Sequence, residues 1–310
     1  MNKLTIKINK KIAEKDRLLV GGKGLPLIDL KSKNIPIPSG FIVTTEAHGL
    51  FLKESNLDRD IKRLASHSKF KNIQTLIKRA SMPDKLLSKI ETELEQSRIE
   101  SYAVRSSANV EDSSSNSWAG VFESYINIPR SKVIDHIKQC WASIFNPRAV
   151  DYSGSLSNLL SIRMAVIVQQ SINCGVSGVC FTKDPLDDKK DDIRIEAVFG
   201  LGESLVQGEV TPDKYTVERE RNIILKVFVN PQKIMHTFKQ KSGTKTVQIK
   251  PTYKQKLSGK EIKDLAKLSQ NIENFYNVGQ DIEWCKKGNI FYIVQSRPII
   301  SNRPDQEGSE

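Results

Sequence analysis

The stretch DIEWCKKGNIFYIVQSRPI, residues 281–299, decides the fold. Two runs rich in aromatic and β-branched residues flank Lys-Lys-Gly-Asn, the pattern of a β-hairpin. The first run carries Asp281 and Glu283, the second Gln295 and Arg297. Residues two apart on a strand share a face, so each pair points one way. Whether both pairs share one face depends on the loop. A three-residue loop, Lys287-Gly288-Asn289, pairs Lys286 with Ile290 and sets Asp281 opposite Gln295, with all four polar groups on one face. A two-residue loop at Lys287-Gly288 puts the pairs on opposite faces. Gly288 suits the left-handed position of a three-residue loop, so the shared face is expected. Two carboxylates two positions apart repel unless a cation joins them. A divalent ion shared with a phosphate resolves the repulsion, because Mg²⁺ takes hard oxygen ligands, and Arg297 would serve the same phosphates. The plainer alternative is an exposed strand face with a cross-strand Asp–Arg pair of little energetic worth.

The rest of the chain bounds what this hairpin can belong to. With 310 residues there is room for one large domain or two lobes with real cores. Hydrophobic residues at 38% and charged residues at 27% fit a soluble globular protein. A net charge of +12 favours polyanionic partners: nucleic acid, an acidic membrane face or a phosphorylated small molecule. The lysines are spread along the chain, so a solvated Lys-rich surface explains the charge as well. Cys140, Cys174, Cys180 and Cys285 form no C-x-x-C pair, and no His stands at metal-ligand spacing from them. A reduced, cytoplasmic protein is expected. The N-terminus lacks the apolar core of a secretory signal, and no apolar run reaches membrane-spanning length.

Helix signals recur. Ser258 to Glu261 reads as a capping box before the stripe Ile262, Leu265, Leu268, Ile272 and Phe275. Ser131 precedes a second stripe, Val133 to Ile144, and Ser81 with Pro83 opens a third, Leu86 to Leu94. Strands are expected over 102–107, 164–170, 178–182, 193–199, 214–220 and the closing hairpin. Strands and helices intersperse without a strict βαβ rhythm, which argues α+β rather than a doubly wound sheet.

Three other stretches carry chemistry. In LLVGGKGLPLIDL, residues 18–30, Gly21, Gly22 and Gly24 surround Lys23, and Pro26 suits the first turn of a helix running to about Lys33. Glycines let backbone N–H groups face an anion, and a helix start favours negative charge. Lys23 is followed by Gly24 and not Ser or Thr, so this is no Walker A loop. In YAVRSSANVEDSSSNSWAGVFESY, residues 102–125, a strand delivers Arg105 into a run of small and hydroxyl residues ending at Ser117 and Gly120, able to lie over phosphates. In EAVFGLGESLVQGEVTPDKY, residues 196–215, Glu196, Glu203 and Asp213 stand among turn residues, with Glu203 after a Gly-Leu-Gly turn where a loop meets an expected helix.

In this order the motifs GGKG, PIPSGFIVTTEAH, AVRSSANVEDSSSNSWAGVFESY, CWASIFNPRAVDY, MAVIVQQSI, SGVCFTKDP, GLGESLVQGEVTPDKY and DIEW…YIVQSRPI closely resemble one family. It is the nucleotide-binding domain of phosphoenolpyruvate synthase and pyruvate phosphate dikinase, with rifampicin phosphotransferase as a relative. The resemblance runs from about residue 15 to 300. It implies an ATP-grasp fold, two α+β lobes holding ATP between them: residues 1–163, residues 164–300, and a loose tail at 301–310. It implies ATP and Mg²⁺ as ligands. Lys23 and Arg105 would contact phosphates, and with Arg297 they are the expected catalytic cations. Ser117 and Gly120 would lie in the phosphate loop. Gln169, Gln170, Ser171 and Ile172 would line the adenine. Glu203 and Asp213 would sit near the nucleotide or its ribose. Asp281, Glu283 and Gln295 would hold the metal.

The same resemblance implies phosphoryl transfer from ATP, with AMP as product, to a phosphorylated histidine. None of His48, His67, His136 and His236 lies in a context like the family's phosphohistidine site. A separate histidine-bearing partner protein is therefore expected, or else a small-molecule acceptor phosphorylated directly. The rival readings are a stand-alone kinase for a small molecule or antibiotic, a non-catalytic ATP-binding regulatory subunit, and a nucleic-acid binder. The last rests on charge alone, since nothing resembles an RNA-binding aromatic platform.

Overall fold

A computed structural model describes residues 3–9, 11–110, 118, 120–184 and 191–299. The chain divides into two compact units between Ile172 and Asn173, with Phe238–Lys245 returning to the first. Both units combine helices with purely antiparallel sheets, so the α+β expectation holds.

The first unit is built on a sheet of β1 (Thr5–Lys7), β2 (Gly40–Val43), β3 (Ser101–Ala108), β4 (Ser124–Pro129) and β5 (Met164–Gln170). Their order is β1-β2-β5-β3-β4. The apolar run Met164–Val168 is wholly buried because β5 is the central strand, paired on both sides. This moves the boundary expected at 163/164: a central strand cannot leave its sheet without breaking two ladders at once.

One sheet face carries Ile42, Ala103, Arg105, Ser107, Ile167 and Gln169, and meets α1 (Gly21–Ser32). The other carries Tyr102, Val104, Val166 and Val168 into the main core. There it is joined by α2 (Thr45–Glu54), α3 (Leu57–Ala65), α4 (Phe70–Arg79), α5 (Asp84–Gln96) and α6 (Val133–Ala142). The stripes expected in α5 and α6 supply Leu86, Ile90, Ile137 and Trp141 to it. Two short helices, α7 (Pro147–Ser153) and α8 (Leu156–Ser161), lead to β5. Thr44 accepts from the Ala47 N–H and caps α2, and Asn146 accepts from Ala149 and caps α7.

His48 of α2 lies in this core, 2% exposed, stacked on Trp141 at 5.3 Å, with Nδ1 accepting from the Met164 N–H. Burial, aided by the Arg163 charge, lowers its pKa from 6.5 to about 3. In the unfolded chain it titrates normally, so between these values the unfolded state binds a proton that the folded state refuses. The stability contributed by neutral His48 is whole above pH 6.5 and is lost as pH falls toward 3. Acidification to pH 5 is expected to cost about 2 kcal/mol from this group. Denaturant melts from pH 7 to 5 should show the slope in the native protein and lose that part of it in His48→Gln; an unchanged slope contradicts the assignment.

The second unit contains β6 (Val176–Phe181), β7 (Ile193–Phe199), a one-turn α9 (Glu203–Val206), β8 (Asp213–Glu218) and β9 (Ile223–Phe228). After the hairpin β10 (Gln232–Phe238) and β11 (Thr244–Thr252) come α10 (Gly259–Tyr276), β12 (Gln280–Lys287) and β13 (Ile290–Pro298). The main sheet runs β13-β12-β6-β7-β8-β9. The capping box is present: Ser258 Oγ accepts from the Glu261 N–H, and Glu261 accepts from the Ser258 N–H at 2.7 Å. Ile262, Leu265 and Ile272 of α10 are fully buried, and α10 contacts β7, β8, β9 and β12. The covered sheet face presents Ile195, Ala197, Tyr215, Ile282, Trp284 and Ile293. Strands β9, β10 and β11 were not legible: β9 is a nearly unbroken apolar run that lies mostly exposed at the margin of the sheet, and β10 and β11 form a separate two-stranded sheet without a clean buried face. Among the described residues no helix is long and apolar enough to cross a membrane.

Candidate nucleotide and metal site

The hairpin brings its four polar residues together, but by a different route from the one expected. The loop has two residues, Gly288 and Asn289, because Lys287 pairs with Ile290 and Lys286 with Phe291. Carried on unbroken, that register would set Glu283 opposite Val294 and split the pairs between the two faces. A β-bulge intervenes, with the ladder passing from Trp284–Ile293 to Glu283–Gln295. One extra residue in β13, Val294, shifts the parity back. Asp281 then faces Arg297, and Glu283 faces Gln295. The three-residue loop is thus corrected, while the shared face stands.

On this face Arg297 donates from Nε at 2.9 Å and Nη2 at 2.7 Å to Asp281 Oδ2. The guanidinium is 45% exposed, so the pair adds little stability. Its effect is positional: it fixes Arg297 and offsets the Asp281 charge beside Glu283. Across the sheet the row continues Gln295, Glu283, Val179, Glu196, Lys214, with the Glu196–Lys214 ion pair at 3.3 Å. The next row holds Arg297, Asp281, Phe181, Arg194 and Thr216. Arg194 and Lys214 were missed by sequence reasoning, and the only signal for them was their alternation with buried residues.

Asp213 is not on this face. It pairs with Ala197, on the side that α10 covers. Its Oδ1 accepts from the Lys256 ammonium at 2.6 Å and the Asn230 N–H at 2.9 Å; its Oδ2 accepts from the Tyr215 hydroxyl at 2.8 Å and the Lys256 N–H at 3.0 Å. Asp213 and Lys256 side chains are both 0% exposed. Four donors saturate this carboxylate, which makes it a structural ion pair rather than a ligand group. Glu203, at the start of α9, contacts His236 Nδ1 at 3.3 Å, and His236 Nε2 contacts Glu209 at 2.8 Å. The meeting of Glu203 with His236 could not be read from the sequence, because His236 comes from β10, thirty-three residues on.

In the first unit Arg105 and Gln169 share the face met by α1, and Lys23 lies in the first turn of that helix. Gly21 to Gly24 belong to the helix itself rather than to a loop before it. Gly21 has φ +66°, and a Cβ there would stand 2.0 Å from the Ser107 carbonyl oxygen. The Gly24 N–H donates to Ser107 Oγ at 2.9 Å, and that hydroxyl donates to the Val20 carbonyl at 2.8 Å. These glycines therefore allow α1 to press against β3, and Ser107 takes one of the amides an anion could have used.

The Gln169 side chain is 2% exposed and its Oε1 has no hydrogen-bond partner. A buried acceptor left unpaired costs about 1–3 kcal/mol, so it points to a missing donor. The residues after it are held in place. The Gln170 N–H donates to Ser39 O at 2.7 Å, the Ser171 N–H to Ser101 O at 2.9 Å, and Ser171 Oγ accepts from the Asn127 N–H. Asn127 also donates to Lys239 O and Gly243 O, anchoring the β10–β11 tip. Ile172 is buried. Gly120 adopts φ +70°, and Trp118 stacks on Phe122 at 5.4 Å. Ser117, with the rest of 111–117, lies outside the described residues.

Among the described residues no three or more His, Cys, Asp or Glu side chains gather as a metal site. The donor set on the hairpin is smaller, the Glu283 carboxylate and the Gln295 amide oxygen set opposite one another. It fits an ion that takes one or two protein oxygens and completes its shell with phosphate and water, as Mg²⁺ does.

Comparison with known families matches residues 17–310 to the family described as Pyruvate phosphate dikinase, AMP/ATP-binding domain. The chain is 32% identical to the phosphoenolpyruvate synthase of Pyrococcus furiosus, covering 98% of this chain and 45% of that protein. It is 36% identical to the rifampicin phosphotransferase of Bacillus cereus, over 95% of this chain and 36% of the relative. A "Probable phosphoenolpyruvate synthase" of Methanocaldococcus jannaschii is 34% identical over 94% of this chain and 26% of its own length. The chain thus spans less than half the length of these curated relatives. Among solved structures, a D-alanine–D-alanine ligase from Bacillus anthracis overlays 91% of this chain and 56% of its own at a TM-score of 0.34 and 10% identity, too slight a likeness to carry an argument. On the family match over nearly its whole length, this chain belongs to the pyruvate phosphate dikinase AMP/ATP-binding domain family.

Proposed function

We propose that the chain is a Mg²⁺–ATP-dependent phosphotransferase module of the phosphoenolpyruvate synthase type, of the ATP-grasp kind, cleaving ATP to AMP and passing a phosphoryl group to a histidine on a separate partner protein. The observation that carries the reading is the bulge-set register, which gathers Asp281, Glu283, Gln295 and Arg297 on one half-buried sheet face. Glu283 and Gln295 would hold Mg²⁺, which offsets phosphate charge when bound. Arg297, pre-oriented by Asp281, grips the phosphate tail with a planar fork. Lys23 and Arg105 neutralise charge that builds on the transferred group. The buried Gln169 Oε1 accepts from the exocyclic amine of adenine, the donor it lacks.

The histidines of the sequence support an acceptor elsewhere. His48 is sealed in the core, His67 and His136 bind carbonyls of their own helical segments, and His236 lies between two glutamates. The likeness to rifampicin phosphotransferase favours a second reading, direct phosphorylation of a small molecule.

Calorimetry with Mg²⁺–ATP, followed by chromatography of nucleotides after adding a histidine-bearing domain of a phosphoenolpyruvate synthase, tests both. ATP binding and AMP release dependent on that domain are expected. ADP as sole product supports the small-molecule reading, and absence of nucleotide binding overturns both. Gln169→Leu should weaken ATP binding, read by calorimetry, about fivefold, a lost hydrogen bond of about 1 kcal/mol; undiminished affinity removes Gln169 from the adenine contact.

A further inference from the structure

One edge of the second unit's main sheet is open. β9 is the last strand, bonded to β8, and no other described strand pairs with it; the hairpin of β12 and β13 closes the opposite edge. The N–H and C=O groups of β9 that point away from β8 form an unfilled ladder. Natural edges are usually blunted by charge, bulges or short length. β9 has one lysine, Lys226, and a bulge that leaves Leu225 without a partner on β8. Yet Ile223, Leu225, Val227 and Phe228 are 41–59% exposed. Ile224 is half-buried beside Gly259 at the start of α10.

The charge around this edge has one sign. From Arg221 to Lys260 the chain carries ten Lys or Arg and no Asp or Glu. Lys256 is bound to Asp213, Arg221 pairs with Glu218, and Lys260 with Asp264. Lys226, Lys233, Lys250 and Lys254 are exposed, and among the described residues no carboxylate pairs with them. The Lys256 ammonium also donates to Asn230 O, which brings Tyr253 and Lys254 toward the end of β9. Tyr253 is 76% exposed.

We propose that β9 is a docking edge for an acidic partner protein, which adds one further strand beside Ile223–Phe228 from an extended segment of alternating acidic and apolar residues. Main-chain bonds fill the open ladder, apolar side chains cover the exposed β9 residues, and carboxylates meet Lys226 and Lys254. A second copy of this chain fits poorly, because it sets lysines against lysines with no acid to answer them. A nucleic acid answers the lysines but neither the ladder nor the aliphatic side chains. The proposal does not depend on the nucleotide reading, because it uses the edge remote from the hairpin.

A labelled peptide of alternating Glu and Val, long enough to span the six residues of β9, is the probe. Fluorescence anisotropy with the native protein should show binding that weakens with added salt, and none for the Lys-Val counterpart. Hydrogen exchange read by mass spectrometry should slow at residues 223–228 when the Glu-Val peptide is bound. The double variant Lys226→Glu, Lys254→Glu should weaken binding about tenfold with the melting temperature unchanged. Absence of binding, equal binding of the Lys-Val peptide, tighter binding of oligouridylate, or protection confined to other segments overturns the proposal. So does sedimentation of the free protein as a dimer with β9 already protected. The exchange map of the native protein decides the location even if the variant folds poorly.

Discussion

Asp213→Asn is expected to destabilise the second unit by about 3–5 kcal/mol, the cost of leaving a buried charge without its partner. Lys256 Nζ sits 2.6 Å from Asp213 Oδ1 with both side chains wholly out of solvent. Asparagine keeps the shape and one acceptor oxygen but removes the charge, so the ammonium stays buried with only carbonyl oxygens and the Phe199 ring, 5.4 Å away, around it. The Tyr215 hydroxyl and the Asn230 and Lys256 N–H groups lose the strength of bonds to an ionised acceptor as well. Urea melts followed by tryptophan fluorescence should show the loss as a lower midpoint, since Trp284 lies on the same sheet face. The double variant Asp213→Leu with Lys256→Met should recover most of it, because a buried pair exchanged for apolar groups of similar volume is often neutral. A single-variant loss under 1 kcal/mol would show that Asp213 carries little of the unit's stability.

Glu283→Ala should lower Mg²⁺-dependent turnover by on the order of a hundred- to thousandfold while leaving the melting temperature nearly unchanged. The side chain projects from the half-buried face, away from α10, so its removal leaves no core cavity. What is lost is the carboxylate set opposite Gln295, the group proposed to hold the metal. AMP release measured against Mg²⁺ concentration separates two outcomes. A rate restored by excess metal assigns Glu283 to metal affinity; a rate that stays low assigns it to the geometry of the bound phosphates. Undiminished turnover at low metal removes Glu283 from the site altogether.

The hairpin shows how far local pattern reaches. Alternation and a glycine turn identify two antiparallel strands, and spacing by two puts Asp281 with Glu283 and Gln295 with Arg297. The loop length was misread, because Gly288, at φ +58°, is as much at home in a two-residue turn as in a three-residue one. The bulge at Val294 carries no local mark. Which strand accepts an extra residue depends on how the edge strand twists against β12, and that is a property of the sheet. Asp213 and Glu203 illustrate the same limit. Both look like loop acids beside glycines, yet their partners Lys256 and His236 come from segments more than thirty residues away.

By itself the sequence determined β3, β5 to β8 and the closing hairpin as strands, the capping box of α10, the buried stripes of α5 and α6, and the polar residues that hairpin would carry. Those depend on periodicity and on contacts within a few residues, which any chain of this pattern must make. Only the tertiary structure decided that β5 is a central strand of the first unit, that Asp213 is spent on a buried lysine, that the α1 glycines serve close packing, and that Gln169 keeps an unanswered acceptor. Each depends on which distant group arrives at a given atom, and burial then makes that meeting either satisfied or costly.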